Sequence, residues 1–356
     1  MQADTGNALF RIVKKPFVVL KNNPVLYSNG KINVVGFGAF AALETFIIIC
    51  GLNFYIWIKG LPVETLTLSL LTAAGIFIWT GSKVFHWIAL GKKFFEKPWK
   101  YIRETGFYHQ GGIAGAIIWL IYAAFVTGLP FSALADGICW AALLGHAFGR
   151  LGCFNYGCCF GKHTQGMISI RYTNLNSKIL RWRPNLYNAP IHPTQLYMSL
   201  LNLAGFFIAT SFIIFETTGG LVTCFFLSWH GITRMSIEPF RGDLIHHEGR
   251  NWTTFRAAGS LILFAVFLWF TGPYFDPAFR TYLSNALSPG LHSFVNLLKH
   301  KPAVMLYALT GGLLSMTGYG IHGAKLGTFP HPFETIAQIR KEDKVDISHS
   351  VQQGEL

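Results

Sequence analysis

Apolar stretches of about twenty residues recur along this chain, and that recurrence limits its fold more than any other feature. Crossing the ~30 Å hydrocarbon layer of a bilayer takes roughly 20 mostly apolar residues in a helix. Such stretches occupy Val34–Ile58, Leu66–Leu90, Gly111–Gly128, Phe131–Phe148, Thr194–Phe215, Gly219–Ile237, Ala257–Thr271 and Ala303–Ile321. The fourth is comparatively polar and the seventh comparatively short. In lipid every backbone polar group must be satisfied inside the protein, which leaves helices and closed barrels as the only spanning structures. These stretches have helical length, so the expected fold is all-α: a polytopic transmembrane helix bundle of about seven or eight spans with an extramembrane arm and loops. Composition agrees, because only 13% of residues are charged and 51% are hydrophobic, the charged share being about half the globular average.

The chain divides into an amphipathic arm at 1–31, a transmembrane domain at 32–325 and a polar tail at 326–356. In the arm, Phe10, Ile12, Val13 and Phe17 to Leu20 are set among Arg11, Lys14 and Lys15, a pattern that suits an interfacial helix. Two polar segments, 91–110 and 161–193, interrupt the membrane domain. Their basic residues fall on alternating sides of a simple eight-span arrangement, so the positive-inside rule sets no orientation. A formal charge of +13 raises the question of nucleic acid. The Lys and Arg residues lie between apolar spans, without the aromatic-basic stripes of a nucleic-acid surface, so the partner that fits is anionic lipid and no nucleic acid is expected.

Six cysteines stand at Cys50, Cys139, Cys153, Cys158, Cys159 and Cys224. Cys153, Cys158 and Cys159 lack the spacing of a zinc ribbon, although three thiols with His146 or His163 nearby are open to a soft metal. The favoured reading is that they pack as small apolar groups, and no metal or cofactor is expected.

Ionisable side chains inside a bilayer are costly, by about 2.5–3.5 kcal/mol each on insertion scales, so they face a bundle interior or a cavity. Glu44, Lys83, Asp136, His146, Arg150, His230, Arg234 and Glu238 all lie in or at the ends of the expected spans. Four strings draw attention: His109-Gln-Gly-Gly112, the Gly-rich run Gly149–Gly161, His192-Pro-Thr-Gln-Leu-Tyr197, and Arg234 to Asp243. Glycines in the second string allow backbone amides to approach a ligand, and Arg150 there supplies a two-donor fork suited to phosphate. Arg234 and Glu238 are four apart, so on a helix they share a face and can pair. In apolar surroundings such forks suit a lipid phosphodiester.

Taken in this order and with these gaps, the strings resemble the prolipoprotein diacylglyceryl transferases of bacteria over roughly Pro24–Gly272. Leu134-Ala-Asp136 followed by Gly149–Gly161 is similar to the family's Gly-Arg-x-Gly-Asn-Phe signature with its later Gly. The His192 string matches the family's His-Pro-Ser/Thr-Gln-Leu-Tyr, and Arg234 to Asp243 matches its Arg…Glu-Phe-x-Arg-x-x-Asp region. The chain departs from the family at several points. Cys153 stands for the usual Asn, Cys158 for a Glu, Met198 for an acid and His230 for an aromatic; the His109 motif carries an extra Gln, and Val35 takes the place of a Tyr.

The resemblance implies transfer of diacylglyceryl from phosphatidylglycerol, or another anionic phospholipid, to the cysteine thiol of a lipobox-containing precursor protein, in the inner membrane of a bacterium. It makes His109 the base that helps form the thiolate, and has Arg150 and Arg234 neutralise the phosphate. It has Glu238 orient Arg234, puts Arg241, His192 and Gln195 at the head group, and uses Asp136, Gly152 and Gly161 to shape the site. Two other readings stay open: a lipid-dependent transferase with a different acceptor, and a non-catalytic lipid-binding subunit. A transporter would suit central charges in broken helices, but the halves show no convincing inverted repeat.

Overall fold

The computed structural model describes residue 20 and residues 23–96, 98–103, 109–215, 218–242, 250–282, 284–323 and 326. Most of the expected arm, and the tail beyond Leu326, lie outside the described residues.

Each of the eight apolar stretches is a helix. We number the long helices α1 (Gly36–Ile58), α2 (Leu68–Leu90), α3 (His109–Thr127), α4 (Phe131–Tyr156), α5 (Thr194–Ile214), α6 (Leu221–Ile237), α7 (Arg250–Thr271), α8 (Leu291–His300) and α9 (Ala303–Gly320). Among the described residues, α1, α2, α4, α5 and the segment Arg256–Tyr274 are long and apolar enough to cross a membrane, and Gly111–Thr127 is a shorter apolar helix. Ile76, Phe125, Phe207, Leu263 and Leu313 project outward from the bundle, as a hydrocarbon solvent permits. The protein is therefore a polytopic all-α membrane protein, and α8 is an additional amphipathic helix before the last span.

Helix α4 is the centre of the bundle. It packs against α1, α5 and α6, while α9 lies on the other side of α1 and α2 pairs with α3. Small residues set the closest approaches: a Cβ on Gly81 would come within 2.2 Å of the Gly111 carbonyl oxygen, and one on Gly115 within 2.2 Å of that of Phe77. Backbone thus meets backbone between α2 and α3, the small-xxx-small mode of membrane helices. Gly111, part of the His109 string, is engaged in this packing.

Buried carboxylates hold two helix starts. Asp276 accepts from the Ser132 amide at the beginning of α4 at 2.7 Å. Asp136, within α4, accepts from the amides of Gly220 and Thr223 and from the Thr223 hydroxyl at 2.5–2.8 Å, which caps α6. Each satisfies amides that the first turn of a helix leaves without an internal partner. A three-stranded antiparallel sheet adds to the helices: β1 (Val25–Ser28), β2 (Ile32–Val35) and β3 (Ile321–Gly323), with β2 in the middle. It ties the segment before α1 to the end of α9. Nearby, the Asn155 amide donates to the carbonyls of Leu20 and Asn23.

The structure changes one expectation about α4. The span was expected to end at Phe148, but the helix runs on to Tyr156. Gly157, at φ 77°, closes it, with its amide and that of Cys158 both donating to the Cys153 carbonyl. Glycine is favoured there because the left-handed conformation carries no Cβ penalty. Amides of the last α4 turns are thus committed within the helix and do not line a ligand loop.

Candidate active site

The segment after α4 is an ordered cap and not a loose loop. Phe160, Tyr172, Ile179, Leu180 and Ile191 form a small apolar core of their own, and the Tyr172 hydroxyl donates to the Phe154 carbonyl at 2.8 Å. Three strands of irregular chain are stitched together beneath it. The Lys162 amide donates to the Phe240 carbonyl, that of His192 to Lys162, and that of Gly242 to Phe160. Gly161 and Arg241 form an antiparallel bridge. At the start of α5, the Thr194 hydroxyl and the Gln195 amide each donate, at 2.7 Å, to the carbonyls of Cys159 and Cys158. The ends of α4 and α6 and the start of α5 therefore converge, and three of the motif strings meet there.

Between them lies a cavity whose walls include Arg150, Gln195, Arg234 and Arg241. Arg234 pairs with Glu238 at 2.9 Å, and the Glu238 side chain is only 2% exposed. The pair sits at i and i+4, with the carboxylate holding one guanidinium in place. Three arginines thus line the cavity, and the one carboxylate paired with them, Glu238, is not among its lining residues, a charge balance that favours an anion. Gln195 is fully buried, and among the described residues its Oε1 has no hydrogen-bond partner. That acceptor is left for a ligand donor, since a buried polar atom without a partner is costly.

The remaining residues singled out from the sequence fall into place as follows. His192 does not itself line the cavity; its ring is edge-on to Phe240 and its Nδ1 is 3.3 Å from the Tyr197 hydroxyl. Gly161 lies so close to His192 that a Cβ would come within 2.3 Å of the His192 carbonyl oxygen. Gly152 packs on α1, where a Cβ would meet that of Phe40 at 2.8 Å. Asp136 is not at the cavity: it lies about 21 Å before Arg150 along α4, where it caps α6. There it acts as a helix cap. The side chain of His109 lies outside the described residues.

One pair escaped the sequence reading. Glu44 on α1 accepts or shares a proton with His146 Nδ1 at 2.5 Å, one turn of α4 before Arg150. Gly149 makes room for it, since a Cβ there would come within 2.1 Å of Glu44 Oε2. Both residues were visible as ionisable groups in spans, but nothing in the sequence states that α1 and α4 are neighbours.

The family model for prolipoprotein diacylglyceryl transferase matches residues 24–271. The chain belongs to the prolipoprotein diacylglyceryl transferase family. It is 25% identical over 223 residues to the phosphatidylglycerol–prolipoprotein diacylglyceryl transferase of Clostridium tetani, which covers 62% of this chain and 86% of that protein. Against the protein of the same name from Geobacillus kaustophilus it is 29% identical over 59% of this chain and 78% of the relative. For Dehalococcoides mccartyi the values are 31%, 49% and 65%. The matched segment agrees with the extent of the resemblance read from the motifs, and in this chain the cavity lies where three of those motifs converge.

The fold at Gly161 tolerates little added volume. Gly161→Ala is expected to lower stability by about 1–3 kcal/mol, the usual cost of overpacking where backbone must move. Thermal unfolding of the purified variant in detergent checks this, and an unchanged midpoint would show that the His192 carbonyl yields freely.

Proposed function

We propose that this protein transfers the diacylglyceryl group of phosphatidylglycerol to the cysteine thiol of a lipobox-containing precursor, in the plasma membrane of a bacterium. The observation that carries this reading is the cavity in which Arg150, Arg234 and Arg241 meet beside buried Gln195. In the step proposed, the acceptor sulfur forms a bond to the terminal glyceryl carbon as that carbon's bond to the phosphate oxygen breaks. Glycerol phosphate leaves with the electron pair, and the thiol proton passes to an imidazole. Arginine forks oppose the charge that grows on the leaving phosphate, and fixed donors in a dry site do so without reorganising. Gln195 Oε1 is suited to accept from a head-group hydroxyl, and Glu238 fixes Arg234.

A thiol of ordinary pKa near 8.5 needs a base at neutral pH. By family resemblance that base is His109. The Glu44–His146 pair offers a second imidazole one helical turn from Arg150.

The test is a transfer assay with purified protein, labelled phosphatidylglycerol and a lipobox peptide. The expected result is label on the peptide cysteine as a thioether, with glycerol phosphate released in equal amount. Label arriving on an amine or hydroxyl acceptor instead would replace the thiol reading. Lipid binding without any transfer would make the protein a lipid-binding subunit.

A further inference from the structure

Beside the cavity, which Cys159 lines, stands a second set of groups that phosphate chemistry does not use. The Sγ atoms of Cys153, Cys158 and Cys159 all lie within 4.8 Å of one another. Cys153 occupies the last turn of α4, and the other two follow the left-handed Gly157 that ends it. Cys159 itself has φ 54°, a conformation uncommon for a residue with a Cβ. It is held there by the hydrogen bonds from Thr194 and Gln195 to the two cysteine carbonyls. The backbone thus takes an unfavourable turn that brings three thiols together, although none of the three is joined in a disulfide.

From this geometry we propose that Cys153, Cys158 and Cys159 form a binding site for a soft monovalent cation, Cu(I), at the wall of the arginine cavity. Three sulfurs around one ion at ~2.3 Å would stand about 4 Å apart, so small side-chain adjustments close the site. The ligand set selects the metal: thiolates and thioethers favour Cu(I), whereas carboxylates and waters favour harder ions. Met198, whose thioether belongs to that soft class, lines the same cavity as Cys159. Charge points the same way. Three thiolates around Cu(I) carry two net negative charges, and two guanidinium groups are at hand. Arg150 Nη1 lies 3.8 Å from Cys159 Sγ, and Arg241 shares the cavity.

A bound ion would direct Arg150 toward sulfur and away from a phosphate, so copper and lipid would compete for this guanidinium. The binding claim itself does not depend on the transfer reading.

The experiment titrates Cu(I) into the full-length reduced protein in detergent, under anaerobic conditions, against a chromophoric Cu(I) chelator. The expected result is one equivalent withdrawn per chain, with an all-sulfur shell in X-ray absorption. Cys153→Ser, Cys158→Ser and Cys159→Ser are each expected to weaken binding at least tenfold, while Cys50→Ala leaves it unchanged. On the wild-type chain, Cu(I) is expected to protect Cys158 and Cys159 from iodoacetamide, read by mass spectrometry, so the test survives if a variant fails to fold. Failure to withdraw copper, retained stoichiometry in the triple serine variant, absence of protection, or binding of Zn(II) with no uptake of Cu(I) would each overturn the proposal.

Discussion

Replacing Arg150 with lysine is expected to lower diacylglyceryl transfer about 10²–10³-fold while leaving the fold intact, the usual effect of losing one well-placed donor to developing charge. Lysine keeps the positive charge but presents a compact ammonium in place of the planar fork that matches two phosphate oxygens. Arg150 lies on the last turns of α4, against α1 and α5, so its backbone position is fixed by the bundle and survives the change. The loss should fall on the rate constant more than on lipid binding, because Arg234 and Arg241 remain in the cavity. The check is turnover with labelled phosphatidylglycerol, alongside circular dichroism of the variant. A folded Arg150→Lys protein with near-normal turnover would remove this residue from the mechanism.

The second large effect is on stability. Asp136→Ala deletes the acceptor for two amides and one hydroxyl at the start of α6. Loss of a cap costs about 0.5–2 kcal/mol, and buried donors left without a partner cost about 1–3 kcal/mol. A total near 2–5 kcal/mol is expected, seen as a marked fall in the thermal midpoint in detergent. Because Asp136 lies far from Arg150 along α4, the lipid affinity of the protein that remains folded should not change. A variant of normal stability with weakened lipid binding would restore Asp136 to the head-group site.

The two aspartate and arginine positions on α4 illustrate what the sequence made legible. Apolar runs of spanning length identify every long helix except the amphipathic α8, because the bilayer imposes length and composition together. Arg150, Gln195, Arg234 and Arg241 could be singled out from their strings, and they share one cavity. Asp136 drew attention as a charge in a span, but its charge is spent on the amides of another helix, a contact between residues more than eighty apart in sequence. The same limit hid the Glu44–His146 pair, which exists only because α1 lies on α4. The glycines misled in a different way. Gly149 and Gly152 suggested an open backbone, yet they serve close helix packing around Glu44 and Phe40. A glycine in a string does not by itself distinguish room for a ligand from room for a neighbouring helix. The cysteines show the converse: a spacing that fits no zinc ribbon still brings three sulfurs together, because Gly157 turns the chain back at the end of α4.

The central claim, that a donor phosphate sits among these arginines, is tested most directly by an experimental structure of the protein in nanodiscs containing phosphatidylglycerol. The account predicts lipid phosphate density within hydrogen-bond reach of both Arg150 and Arg234, with the head-group glycerol turned toward Gln195 Oε1. Lipid phosphates found only around the outside of the bundle, with the cavity between Arg150 and Arg234 closed by protein side chains, would contradict it.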